Sequence, residues 1–158
     1  MTVTLEVSVD EGVDTVGMPE TSLLESAARG AASAAEYGQW AEVSLSIVSA
    51  ETIRSLNDDW REKDKPTNVL AFATEDIPNV VMPPDVPRHL GDIVICADVV
   101  RDEAEAQNKP VEAHWMHLTV HGMLHLLGYD HMEPEEAERM ESLERQVLET
   151  FGINDPYL

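Results

Sequence analysis

The segment from Pro110 to about residue 127 constrains the fold of this chain most strongly. Drawn as a helix, it is apolar around nearly its whole circumference, with apolar side chains at Val111, Met116, Leu118, Val120, Leu124, Leu126 and Leu127. Such a helix has to be buried on every side, so we expect it at the centre of the molecule. Pro110 suits the first turn of a helix, and Gly128 can adopt the positive φ that ends one.

Periodic apolar patterns predict further strands and helices around this segment. We expect strands over 2–9, from Val43 to Ile47, over 68–74 and over 93–96. We expect helices over 20–37 with Gly38 near the end, over 50–61 behind an N-cap at Ser49, from a cap at Asp98 to about 107, over 110–127, and from Pro134 to about 151. An irregular loop is expected around Pro78, Pro83, Pro84 and Pro87. We find no repeat or linker and expect one domain over 1–158.

Composition limits the class of protein. The 158 residues carry a net charge of −21 and one cysteine, Cys96. The first residues have neither the basic nor the apolar region of a secretory signal, and no segment approaches the roughly 20 apolar residues that span a bilayer. A lone cysteine cannot form an internal disulfide, which suits a reducing cytosol. We therefore expect a soluble cytoplasmic protein without a membrane partner.

Five of the six histidines lie between residues 114 and 131. His121 and His125 are four residues apart, so their rings project from one face of the predicted helix. Gly128 then ends the helix, and His131 can return over that face. Because burying three imidazoles without a ligand is costly, we predict a site for one metal ion with an open position for water. Imidazoles suit zinc, and also nickel, copper and iron.

Other polar residues near these histidines have two interpretations each. His114 and His117 extend the same helical face, either supporting the metal ligands indirectly or acting only as hydrogen-bonded helix residues. Asp130 either orients the imidazole of a ligand or caps the bend before His131. The remaining histidine, His89, falls in the proline-rich loop, and we expect it to be incidental to the site.

The histidine spacing equals that of the zincin metalloproteases, H-E-x-x-H-x-x-G-x-x-H, with one decisive difference. The glutamate that serves those proteases as general base is replaced by Gly122. A glycine has no side chain to take a proton from water. The pattern therefore predicts a protease-like metal geometry that lacks the base of the proteases.

Three blocks of sequence are distinctive when taken together. They are LNDDWREKDKPTNVLAF over 56–72, LGDIVIC over 90–96 and HGMLHLLGYDH over 121–131. In this order they resemble the YbeY family of bacterial rRNA-maturation endoribonucleases, and the later DEAEAQN segment and the stretch from Met140 to Glu144 also fit. The resemblance covers about 50–150. Asn68 and Ala71 lie at the looser end of the pattern, since many members have aspartate and serine there.

The resemblance implies an α+β, zincin-like domain with a small mixed four-stranded sheet and about five helices. It implies that His121, His125 and His131 hold one Zn²⁺ ion per chain, or another divalent transition metal. Arg61 would be the functional cation near the metal. Helical spacing, rather than the resemblance, adds Asn57, one turn before Arg61, as a candidate supporting residue. The implied activity is cleavage of single-stranded RNA in processing of the 16S rRNA 3′ end and in ribosome quality control.

The distribution of charge bears on how such a chain would bind RNA. Six of the ten basic residues lie between Arg54 and Arg101, and none lies between Val111 and Glu138. Around Arg61 the basic residues alternate with acidic ones. Because this surface repels RNA at long range, we expect weak affinity for free RNA and a partner, the ribosome or a ribosomal protein, that presents the strand.

Two other functions remain open on the residues alone. The first is a zincin-like peptidase or small-molecule metallohydrolase. The second is a non-catalytic zinc-containing factor that associates with the ribosome, although structural zinc sites usually have a fourth protein ligand.

Overall fold

A computed structural model describes residues 2–74 and 85–157, which form four strands and five helices. In chain order these are β1 (Val3–Val9), α1 (Thr21–Ala34), β2 (Ala41–Val48), α2 (Ala50–Arg61), β3 (Val69–Ala73), β4 (Arg88–Cys96), α3 (Ala97–Ala106), α4 (Val111–Leu126) and α5 (Pro134–Thr150). The strands form one sheet in the order β1-β2-β4-β3. β1, β2 and β4 are parallel, whereas the edge strand β3 is antiparallel to β4. This is the α+β architecture, with a mixed four-stranded sheet and five helices, that the family resemblance implies.

The two faces of the sheet are covered by different helices. The larger core joins α1, α4 and α5 to the face that carries Ile93 and Ile95 of β4. The smaller core joins Ile53 of α2 to the opposite face, which carries Val94 and Cys96. Successive side chains of a strand point to opposite faces, so neighbouring residues of β4 belong to different cores.

Helix α4 is enclosed as expected from its apolar sequence. It packs against α1, α3 and α5 and against strands β3 and β4. At Gly122 it approaches the sheet so closely that a Cβ atom there would lie 2.9 Å from Cγ2 of Ile93. Although α4 is strongly apolar, it has only 16 residues, and among the described residues no helix has the length and apolar character needed to cross a membrane.

Two predicted helix ends are wrong. α1 ends at Ala34 rather than at residue 37, because Glu36 adopts a left-handed conformation with a φ of 58° before Gly38 is reached. Asp98 does not cap α3, since β4 leads directly into the helix and Cys96 occupies the N-cap position. Asp98 instead lies in the first turn of α3 and pairs with Arg101.

Strand β4 is longer than the predicted run over 93–96. It begins at Arg88, because pairing with β2 on one side and β3 on the other extends it through polar residues. His89 therefore lies in this strand, which corrects its expected place in the proline-rich loop. Pro87 precedes β4, whereas three of the prolines lie outside the described residues: Pro78, Pro83 and Pro84.

Helix α2 has the bounds that the sequence predicts. The side chain of Ser49 caps it by accepting a hydrogen bond from the backbone N–H of Thr52 at 3.2 Å. Ile53 of this helix is buried. Trp60, seven residues or about two turns later, lies on the same side of the helix but is 70% exposed. Its ring packs edge-on against Phe72 of β3, with the ring centroids 5.8 Å apart.

Gly91 lies where β3, β4 and α4 meet. Its φ of 149° disfavours any residue with a side chain. A Cβ atom there would collide with the carbonyl oxygen of Phe72 and would lie 2.8 Å from Cδ2 of Leu126. The first of these neighbours is backbone, which cannot rotate aside, so the junction requires glycine.

We predict that Gly91→Ala lowers the free energy of unfolding by roughly 2 kcal/mol or more, through backbone strain and the displacement of β3. The measurement is chemical denaturation of both proteins. Gly38→Ala is the control, because Gly38 has no positive φ and a Cβ atom added there would meet no atom within 4 Å. A Gly91→Ala protein as stable as this control would contradict the account of the junction.

Candidate metal centre

Three histidine side chains meet at the end of α4. His121 and His125 lie one turn apart on the helix, and their Nε2 atoms are 3.1 Å from each other. Gly128, with a φ of 100°, turns the chain after the helix, as predicted. His131 then returns so that one nitrogen from each of the three rings lies within 4.8 Å of the others. The structure thus brings together the three histidines that the sequence singles out.

The geometry and chemistry of this cluster fit a divalent transition metal. Two nitrogens bound tetrahedrally to zinc lie roughly 3.3 Å apart, given zinc–nitrogen bonds of about 2.0–2.1 Å. The separation of the Nε2 atoms of His121 and His125 is close to this value. The pKa of His125 is lowered to about 4, mainly because the ring is buried and to a smaller extent because the rings of His121 and His131 lie nearby. His125 is therefore neutral at physiological pH, as a metal ligand must be.

The open side of the cluster leaves room for water or substrate. His121 and His125 are partly buried, whereas His131 is exposed. Among the residues that the structure describes, no cysteine or carboxylate joins these three histidines as a fourth ligand. Cys96 is buried in the core on the opposite face of the sheet, so its thiol cannot reach them.

Glu144 of α5 also lies beside this cluster, although the sequence pattern did not single it out. Its side chain is completely buried and contacts three donors. Oε1 lies 3.0 Å from Nδ1 of His121, while Oε2 lies 2.5 Å from Nε2 of His117 and 2.7 Å from the hydroxyl of Tyr157. Burial raises the pKa of Glu144, but the hydrogen bonds from His117 and His121 outweigh it and bring the pKa to about 2. The buried carboxylate is therefore ionised.

His117, His121 and Glu144 also come close enough together to hold an ion. In this second group, however, the ligand atoms are already joined by hydrogen bonds within the protein. The nitrogen of His121 that would be used is Nδ1, which faces Glu144, whereas Nε2 faces His125. The cluster of His121, His125 and His131 is the better candidate for a metal site, because Nε2 of His121 faces His125 rather than a carboxylate.

The other predicted supporting residues contact different groups. The Oδ1 atom of Asp130 accepts a hydrogen bond from the backbone N–H of His131 at 2.7 Å, so its carboxylate stabilises the bend. His114 is buried and pairs through Nε2 with Glu103 at 2.9 Å. Asn57 is buried too, and it donates from Nδ2 to the carbonyl of Lys65 at 2.9 Å, which holds the loop after α2.

Arg61, the predicted functional cation, is the last residue of α2 and is exposed. Helix α2 packs on the opposite face of the sheet from α4, and the structure does not bring Arg61 into hydrogen-bond contact with the histidines. Within residues 2–74 and 85–157, its guanidinium makes neither a hydrogen bond nor an ion pair. Helices α2 and α4 both border the edge strand β3. Helix α4 packs along this strand, and Trp60 of α2, next to Arg61, packs on Phe72 of β3.

The comparisons with known proteins bear on this combination of fold and site. The model of the family described as endoribonuclease YbeY matches residues 14–152. The chain belongs to the YbeY family. Its fold is similar to the solution structure of TM1509 from Thermotoga maritima, with a TM-score of 0.56 and 27% sequence identity. That match covers 94% of this chain and 92% of the TM1509 chain.

Membership in the YbeY family has a direct consequence for function. It implies an endoribonuclease, a hydrolase that acts on RNA in rRNA processing. The family resemblance predicted from the three sequence blocks is therefore confirmed. The roles of individual residues stay predictions: the geometry described above supports the three histidines as ligands, whereas the role of Arg61 rests on the family resemblance.

We predict that the purified protein carries about one metal ion per chain and that alanine at His121, His125 or His131 removes most of it. Two remaining imidazoles rarely retain zinc against competing chelators. Elemental analysis of each variant after dialysis against a weak chelator is the measurement. His89→Ala is the matched control, because the ring of His89 lies near Glu42 and Asp92 and belongs to neither histidine cluster. Full metal occupancy in the three variants would show that the ligands are assigned wrongly.

Proposed function

We propose that this protein is a zinc-dependent endoribonuclease of the cytoplasm that cleaves single-stranded RNA. Its proposed roles are maturation of the 16S rRNA 3′ end and ribosome quality control. The observation that carries the metal dependence is the convergence of His121, His125 and His131 on the open end of α4. The family match supplies the class of reaction.

The three histidines support a catalytic site more than a structural one. An open, three-histidine arrangement leaves a fourth position for water, whereas structural zinc is usually enclosed by four protein ligands. His121, His125 and His131 would hold the zinc ion, which would act there as a Lewis acid on a phosphoryl oxygen and would favour hydroxide formation near neutral pH. The imidazole of His125, neutral at this pH, is ready to act as a ligand without first losing a proton.

The packing of Gly122 argues against a zincin-like peptidase. The direction in which a side chain would leave Gly122 leads into Ile93 of the sheet, with a contact of 2.9 Å at the first carbon. A glutamate at this position would have to enter the core rather than the metal site. The chain therefore lacks both the general base of the proteases and the space to accommodate it.

Arg61 is proposed to stabilise the negative charge that develops on the phosphoryl group during cleavage. A guanidinium can contact two phosphoryl oxygens at once. Arg61 has no competing partner among the described residues, so pairing with a substrate breaks no existing ion pair. An RNA strand that crosses the edge strand β3 would meet α2 on one side and α4 on the other, which explains how residues on opposite faces can act together.

The charge of the protein favours a partner that presents the RNA. A net charge of −21 repels a polyanion, and α4 has no lysine or arginine to offset it. Binding that depends on phosphate contacts requires such cations. We therefore propose that the ribosome or a ribosomal protein holds the strand, while this protein supplies the metal site and Arg61.

We predict that Arg61→Ala reduces single-turnover cleavage of single-stranded RNA by about a hundredfold or more, the scale expected when one group that stabilises the transition state is removed. Metal content should not change, because Arg61 does not contact the histidines. Arg61→Lys should restore only part of the rate, since an ammonium group cannot form the same two-point contact.

Arg54→Ala is the control for this experiment. Arg54 lies on the same helix, is also exposed, and pairs with Asp64 at 3.3 Å. Both variants remove one positive charge, so a general electrostatic effect would slow them equally. Undiminished cleavage by metal-loaded Arg61→Ala, or an equal loss in both variants, would contradict the proposed role.

A further inference from the structure

Glu144 occupies a position unlike that of the acidic residues around it. Helix α5 is rich in glutamate, and the other glutamates are at least partly exposed, whereas Glu144 is completely buried. An ionised carboxylate is costly to bury unless hydrogen bonds replace its hydration. His117, His121 and Tyr157 supply those hydrogen bonds. A fully compensated charge of this kind, in contact with a predicted metal ligand, needs an explanation beyond packing.

The contact with His121 fixes which ring nitrogen of that residue carries the proton. Oε2 of Glu144 already accepts from the Tyr157 hydroxyl and contacts His117, and Oε1 has Nδ1 of His121 as its partner at 3.0 Å, so this geometry makes Nδ1 of His121 the donor. In the neutral ring the lone pair then lies on Nε2. That is the nitrogen that faces His125 at 3.1 Å and points towards the proposed metal position.

The second oxygen of Glu144 is held from two sides. Nε2 of His117 and the hydroxyl of Tyr157 both donate to Oε2. Burial and the nearby carboxylate of Glu144 raise the pKa of Tyr157, so its hydroxyl keeps the proton that it donates. The backbone before Tyr157 is also held in place, because Nζ of Lys109 donates a hydrogen bond to the carbonyl oxygen of Pro156 at 3.0 Å. These contacts leave the carboxylate one orientation, with Oε1 directed at His121.

We propose that Glu144 is a positioning residue, held by His117 and Tyr157, that fixes the tautomer and ring orientation of His121 for metal binding. Carboxylates that accept the second N–H of a metal-bound histidine commonly raise the basicity of the ligand and orient its ring. The inference rests on the proposed metal site, but it assigns Glu144 to a role outside the set of ligands. It also explains why two further polar side chains converge on a buried carboxylate.

The first test uses the unaltered protein without metal. Long-range ¹H–¹⁵N NMR spectra distinguish the two neutral tautomers of each imidazole. We expect His121 to carry its proton on Nδ1, the tautomer that an unconstrained imidazole favours less. A proton on Nε2 of His121 in the folded, metal-free chain would overturn the proposal. This result does not depend on any variant folding correctly.

The second test measures zinc affinity by competition with a chromophoric chelator. Glu144→Gln keeps the shape of the side chain but loses the charge, and we expect a roughly 10- to 100-fold weaker affinity. Glu149→Gln, an exposed change of the same kind on α5, should bind zinc as the unaltered protein does. Thermal unfolding of the metal-free proteins shows whether each variant is folded. Tyr157→Phe, which removes one contact to Oε2, should weaken zinc binding less than Glu144→Gln.

The outcomes separate this proposal from the proposed function. If Glu144→Gln is folded and binds zinc like the unaltered protein, Glu144 has no positioning role, although the three histidines keep theirs. If Glu144→Gln does not fold, the NMR measurement on the unaltered protein decides whether Glu144 positions His121. A proton on Nδ1 of His121 supports the proposal, and a proton on Nε2 overturns it. If the histidine variants bind zinc normally while Glu144→Gln loses it, the metal lies with Glu144 itself, and both the ligand set and this proposal are wrong.

Discussion

The packing of α4 against the sheet is the interaction on which the rest of this structure depends. Gly122 allows the helix to lie directly on Ile93 of β4, and three other helices enclose it. This burial fixes the axis and rotation of α4, and hence the direction of His121 and His125. A rigid helix is a precise support for metal ligands, because the surrounding core resists changes in the position of its side chains. The position of the third predicted ligand, His131, depends instead on the turn at Gly128, because His131 lies beyond the end of α4.

The acidic character of the chain has different consequences at the site and at the surface. The chain has 31 acidic and ten basic residues. Acidic groups near the histidines favour a cation, and one of them, Glu144, is buried where it can act on His121 directly. The same excess of negative charge opposes binding of RNA over the whole surface. An enzyme with these properties would act on an RNA strand that another molecule holds in position. Arg61 would then need to stabilise charge on the phosphoryl group only after the strand is bound.

Sequence patterns predicted the parts of the fold that depend on local chemistry. α2 has its predicted bounds because Ser49 caps its first turn. The histidine cluster followed from helical spacing and a glycine bend, and both are local features. The length of β4 did not follow, because its polar residues are drawn into the strand by pairing with neighbours on both sides. The exposure of Trp60 also depends on distant parts of the chain. The core between α2 and the sheet is small, and Trp60 lies at its border, where its ring packs only against the edge of Phe72 among the described aromatic residues.

Glu144 shows why part of the site could not be predicted from the sequence. It stands among many glutamates of α5, and its partners His117 and Tyr157 are distant along the chain. One signal was present, because Glu144 falls on the same helical face as the buried residues Met140 and Leu148. An acidic residue within an apolar stripe indicates a buried charge, but the pattern does not reveal which group compensates it. That information comes from the packing of α5 against α4 and from the position of Tyr157 after α5.

The most direct measurement of the central claim is a crystal structure of the zinc-loaded protein with anomalous diffraction data collected at the zinc absorption edge. The account predicts one strong anomalous peak per chain, about 2.0–2.1 Å from a ring nitrogen of each of His121, His125 and His131. Nε2 of His121 should face the metal while Nδ1 faces Glu144. A peak bound by Glu144 and His117 instead, or no ordered zinc at this cluster, would contradict it.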